Sequence, residues 1–164
     1  MSSGLFDTQG GVDPHLTGPE SRILRAMLTL ERRHIAILAE IVTGSDTTTE
    51  RVTQWERSKD KGYPPALVVF LRDLVDELTG MGHAMGGLTV TDADGRWTIT
   101  RPLPASIRPL LCEVLERSLT TDEEKALEDG GGDFWQRLAD VAVIEAARMG
   151  RDMDCAVHVE VQKT

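Results

Sequence analysis

The chain has 164 residues, 40% of them hydrophobic and 27% charged, with a net charge of −9; these values fit a folded globular protein and exclude disorder over most of its length. No apolar run approaches the roughly 20 residues that a membrane-spanning helix needs. The opening Met1-Ser-Ser-Gly-Leu-Phe-Asp7 lacks the basic flank and apolar centre of a signal peptide, so no membrane partner and a cytoplasmic location are expected.

Residues 1–16 are rich in Gly, Ser and Asp without hydrophobic period and are expected to form a flexible arm. Thr17-Gly-Pro-Glu20 then carries the signature of a helix start: Thr17 can cap, Pro19 suits the first turn, and Glu20 completes a capping box. Ile23, Leu24, Met27 and Leu28 follow at helical spacing. A second helix, from about Thr29 or Leu30, places Leu30, His34, Ile35, Leu38 and Ile41 on one stripe. The polar run Thr43-Gly-Ser-Asp-Thr-Thr-Thr49 breaks the period and is full of capping residues. A short helix is expected from about Thr48 to Arg57, then a loop to Pro65, and a strongly amphipathic helix from Ala66 to Leu78. Gly80-Met-Gly-His-Ala-Met-Gly-Gly87 has the composition of a hinge. Residues 17–80 and 88–164 are accordingly expected to be separate domains, joined by a hinge at 81–87.

In the second half, Leu88 to Thr91 and Arg96 to Thr100 flank Asp94-Gly95, a pair that favours a hairpin turn. Helices follow from Pro104 to Ser118, from a capping box at Thr121 and Glu124, and from Asp133 to Met149. Ala156 to Val161 alternates like a strand, with Val157, Val159 and Val161 inward. The expected fold class is α+β: an N-terminal all-α domain, then a small α+β domain of a hairpin, two to three helices and a C-terminal strand.

The charge is uneven. Residues 21–61 hold eight Lys or Arg and six Asp or Glu, a local +2, which leaves −11 on the rest. A mildly basic module thus sits in an acidic protein, whose second half could bind a protein partner and limit non-specific adhesion to nucleic acid. Cys112 and Cys155 form no CxxC pair, and His15, His34, His83 and His158 have no ligand spacing. Asp92-Ala-Asp-Gly95 lacks the closing Glu of a calcium loop. With no phosphate-binding glycine loop or nucleophile elbow either, neither a metal or other cofactor nor enzymatic chemistry is expected.

The Ile35-Ala36 helix, the polar turn, Val52-Thr53-Gln54-Trp55-Glu56, Lys59, Pro65 and the Leu67 to Leu78 helix occur in an order that carries a resemblance. Over Leu28 to Leu78, about a third of the chain, the sequence resembles the lambda-repressor/Cro-like, or XRE, family of helix-turn-helix proteins. It departs from that family in a turn about four residues longer and in Ser58 where glycine is common. The resemblance implies double-stranded DNA as partner, with the helix after the turn lying in the major groove. Val52 and Trp55 would face the core, leaving Glu50, Arg51, Thr53 and Gln54 outward. Gln54 can pair bidentately with adenine, and Arg51 with guanine or phosphate. Thr47, Thr48 and Thr49 offer hydroxyls and amides to phosphate, as Arg57, Lys59 and Lys61 offer charge. The expected function is a sequence-specific transcriptional regulator, a repressor or autoregulator of bacterial or phage type, dimerising through its second half. The alternative is an interaction or assembly protein, such as a phage morphogenesis or terminase-like component or an adaptor, that keeps a helix-turn-helix shape without reading an operator.

Overall fold

The computed structural model describes residues 13–88, 95–130, 133–152 and 155–161. They form seven helices, α1 (Gly18–Met27), α2 (Arg32–Thr43), α3 (Thr49–Arg57), α4 (Pro65–Leu88), α5 (Pro104–Leu115), α6 (Thr121–Gly130) and α7 (Phe134–Asp152), and two strands, β1 (Arg96–Arg101) and β2 (Ala156–Val161). The class is α+β, mostly helical. No helix among the described residues is long and apolar enough to cross a membrane.

Local chemistry sets the helix ends. At α1 the Thr17 N–H donates to Glu20 Oε1 at 2.9 Å and the Glu20 N–H returns to Thr17 Oγ at 3.3 Å, satisfying two donors that a helix start otherwise leaves open. α2 begins where the Glu31 N–H donates to His34 Nδ1 at 2.9 Å. It stops at Gly44, whose φ of +76° is the left-handed conformation that glycine adopts without strain. Thr48 caps α3 by accepting the Arg51 N–H at 3.1 Å. The box before α6 lies one residue earlier than the spacing predicts: Thr120 and Glu123 exchange the two bonds, not Thr121 and Glu124. Glu123 is drawn to that position by Arg117, whose guanidinium it binds at 2.7 Å.

Two expectations are corrected. First, residues 81–87 are not a hinge but the last turns of α4. Gly82 and Gly86, four apart, face α7: a Cβ on Gly82 would lie 2.5 Å from Ala142 O, and one on Gly86 2.5 Å from Met149 Sδ. These glycines let two helix backbones approach, and the packing repays their low helix propensity. Second, the described residues on the two sides of that segment share a core. One core runs from Leu24, Ile35, Leu38 and Leu71 through Ile107 and Leu111 to Phe134 and Leu138, and even Leu16, at the end of the expected arm, is buried in it. Residues 1–12 of that arm lie outside the described residues. The C-terminal strand pairs within the chain: β1 and β2 run parallel, with Arg96 opposite Ala156 and Arg101 opposite Val161. The first strand of the expected hairpin lies outside the described residues apart from Leu88, which ends α4.

The sheet covers a second, smaller core in which Trp97 and Ile99 pack on Val143, Ala146 and Ala147 of α7. The expected inward valines of β2 are less sheltered: Val157 is half-buried and Val159 exposed, because α7 buries the side chains of β1 beneath it.

Polar contacts also fasten the helices of the first half to α7. His34 is fully buried; with Nδ1 occupied as an acceptor, its Nε2–H donates to Asp133 Oδ1 at 3.1 Å. Burial lowers its pKa, so the ring is held neutral. Asp133 also binds Arg33 and Arg137. Thr29, at a φ of +56°, exchanges two 2.8 Å hydrogen bonds with Arg137, which offset the strain of a left-handed β-branched residue.

Candidate nucleic-acid interface

α2, the segment 44–48 and α3 form two packed helices joined by a five-residue turn. The turn is held from within, since the Thr47 N–H donates to Glu40 Oε1 at 2.9 Å and the Thr47 hydroxyl to Ser45 O at 3.0 Å. From the second half, Arg117 donates to Ile41 O at 3.3 Å and so caps the end of α2.

The inward face of α3 is Val52 and Glu56, four residues apart and both buried. Trp55, expected in the core, is half-buried on the flank. Glu56 enters the local charge balance of residues 21–61, yet it is not a solvated charge. Its side chain is instead 1% exposed and accepts from Arg25 Nε at 2.7 Å, Arg32 Nε at 3.0 Å and the Tyr63 hydroxyl. Burial pushes its carboxyl up, but the bonds from Arg25, Tyr63 and Arg32 outweigh that and leave it below the usual carboxylate range. Burial and the neighbouring carboxylate hold the Tyr63 phenol protonated well above its ordinary value. This network ties α1, α2, α3 and the following loop to one carboxylate. Its one sequence signal is spacing, since Glu56 lies one turn beyond Val52.

The opposite face of α3 presents Glu50, Arg51, Gln54 and Arg57, all exposed, with Thr53 half-buried beside them. Thr48 and Thr49 are exposed at its start, and Lys59 and Lys61 in the loop after it. Besides that of Thr47, two threonine hydroxyls are engaged: Thr48 as the cap, and Thr53 as a donor to Thr49 O at 3.1 Å. Thr47 departs from expectation, because its amide is spent on Glu40 and is not free for phosphate. Of the eight cations in residues 21–61, Arg25, Arg32 and Arg33 are consumed by internal ion pairs. Arg22, Arg51, Arg57, Lys59 and Lys61 make none among the described residues, and Glu50 and Asp60 are interleaved with the last four.

Beside α3 the loop shapes a groove of about 460 Å³, lined by residues 60–65 with His15, Leu16 and Trp55. On another side, Asp73, Asp76, Glu77, Glu113 and Glu116 line an acidic cleft between α4 and α5, where burial raises the Asp76 carboxyl.

Comparison of the chain with known protein families, curated proteins and solved structures returned no match.

Proposed function

We propose that this chain is a sequence-specific DNA-binding transcriptional regulator of the XRE-like helix-turn-helix type, acting in the cytoplasm, with α3 as the helix that enters the major groove. The observation that carries the reading is the division of α3. One face is anchored through Val52 and Glu56, and the other leaves Glu50, Arg51, Gln54 and Arg57 exposed. A rigidly held short helix with free polar side chains is what base-edge readout requires. Gln54 and Arg51 would read bases; Thr48, Thr49, Arg57, Lys59 and Lys61 would hold phosphates. A single short helix covers few base pairs, so a homodimer is part of the proposal, spacing two α3 copies about 34 Å apart.

The test is titration of labelled DNA, selected from a random pool, with the full chain in the presence of competitor DNA. A regulator keeps its selected sequence under competition. Alanine at Arg57, Lys59 or Lys61 should weaken binding to all sequences and lower the slope of log affinity against log salt by about one per contact. If no sequence is enriched and none of the three variants changes the slope, the reading fails. Sedimentation equilibrium checks the dimer, which a monomer at tens of micromolar would refute.

A further inference from the structure

We propose that the groove beside α3 binds a planar aromatic monoanion that also carries a hydrogen-bond donor, and that its occupancy opposes DNA binding. The first half stands on the groove itself; the second rests on the reading of α3 given above.

The walls are built before any ligand arrives. The Gly62 N–H donates to Leu16 O at 2.8 Å, the Gly18 N–H to Ser58 O at 2.8 Å, and the Tyr63 N–H to Ser21 Oγ at 3.0 Å. The Tyr63 hydroxyl is held by Glu56. A ligand therefore meets a pre-organised rim and incurs little loop-ordering cost. At about 460 Å³ the groove falls within the roughly 300–1,000 Å³ of small-molecule sites.

The lining chemistry selects the occupant. The half-buried indole of Trp55 meets Tyr63 edge-on, with centroids 6.0 Å apart and planes at 71°. With the rings of Pro64 and Pro65 it offers flat apolar surface, which favours a flat ring. Two opposite charges stand at the rim, Lys61 and Asp60, neither with an ion pair among the described residues. The ammonium suits one carboxylate on the ligand, and Asp60 accepts an N–H or O–H from the same ring while disfavouring a second negative charge. Indole and aminobenzoate acids have this combination.

The coupling follows from position. Trp55 belongs to α3, one turn beyond Arg51, and Lys61 belongs to the loop assigned to phosphate. A carboxylate on Lys61 withdraws one cation from DNA, and linkage makes the effect reciprocal.

Calorimetric titration of the full chain with indole-3-acetate and anthranilate tests the groove, with cyclohexaneacetate (an anion without an aromatic ring) and tryptamine (an aromatic cation) as comparators. Both aromatic acids should bind saturably, about tenfold or more tighter than either comparator, and anthranilate, which absorbs where tryptophan emits, should quench tryptophan emission, since Trp97 and Trp135 are buried and Trp55 is the accessible indole. Lys61→Ala, at an exposed site, should weaken the acids severalfold with the fold intact by circular dichroism. Absence of saturation, equal binding of cyclohexaneacetate, or preference for tryptamine overturns the site. DNA affinity should drop severalfold at saturating indole-3-acetate; an unchanged affinity overturns the coupling alone. Should the chain bind no DNA, the reading of α3 falls, and calorimetry still decides the groove.

Discussion

Replacing Glu56 with alanine removes the acceptor shared by Arg25, Arg32 and Tyr63. Two guanidinium groups and a buried phenol then lose their partner, and a small void opens beneath α3. Breaking a fully buried ion pair costs about 3–5 kcal/mol. Here the side chains of Arg25 and Arg32 keep 18% and 36% exposure, so each can recover water, which places the loss near the lower end, at about 3 kcal/mol. With a urea m-value of about 2 kcal/mol/M, the unfolding midpoint should fall by about 1.5 M. The Glu56→Gln variant keeps the volume and one acceptor and should lie between. The pH dependence has a definite sign. The folded-state carboxyl lies below its unfolded value, so its stabilisation is present above the ordinary carboxylate range and is lost as pH falls through the depressed value. The alanine variant should lack that share of the acid slope. Urea unfolding followed by circular dichroism measures both. A midpoint shift under about 0.5 M at unchanged m would refute the idea that this carboxylate holds α3 in place.

Three further outcomes are expected. Gln54→Ala should relax base preference at one operator position, by about 1–3 kcal/mol of discrimination; an unchanged consensus in a selection experiment would remove Gln54 from the readout. Gly62→Ala should destabilise by about 2–3 kcal/mol through overpacking, because its Cβ would meet Ser21 Oγ and lie 2.5 Å from Thr17 O; a wild-type thermal midpoint would contradict the packing of this loop on α1. Asp133 is held at about 2, first by its bond to Arg137, with His34 adding to it against some desolvation. Its stabilisation is therefore complete above about pH 4 and lost on descending toward about 2, and acid titration of Asp133→Asn should be flatter there than that of the wild type.

How much the sequence disclosed depends on whether the signal was local. The capping box at Thr17 and Glu20, the break at Gly44 and the start at Pro65 are written within four residues, and the helices follow them closely. The outward register of Glu50, Arg51 and Gln54 follows from 3.6-residue periodicity about Val52, whereas Thr53, expected outward with them, and Trp55, expected inward, are both half-buried on the flanks. Features that depend on distant residues were not legible. Gly82 and Gly86 have the composition of a hinge until α7 is placed against them. Glu56 looks like one more surface charge until Arg25, 31 positions earlier, folds over it. The pairing of β1 with a strand beyond three helices leaves no trace in the turn chemistry at Asp94-Gly95, which points toward a hairpin.

That parallel pairing governs the order of folding during synthesis. The contacts of α1 to α4 join near neighbours, and such local structure forms early, whereas a strand that waits for a remote partner forms late. Between Arg101 and Val161 lie about 60 residues, several seconds of translation at roughly 5–20 residues per second. Throughout that interval Trp97 and Ile99 await both β2 and the α7 surface that buries them. Until α7 and β2 have emerged, the buried face of β1 has nothing to pack against, and the core that α4 shares with α7 stays incomplete as well.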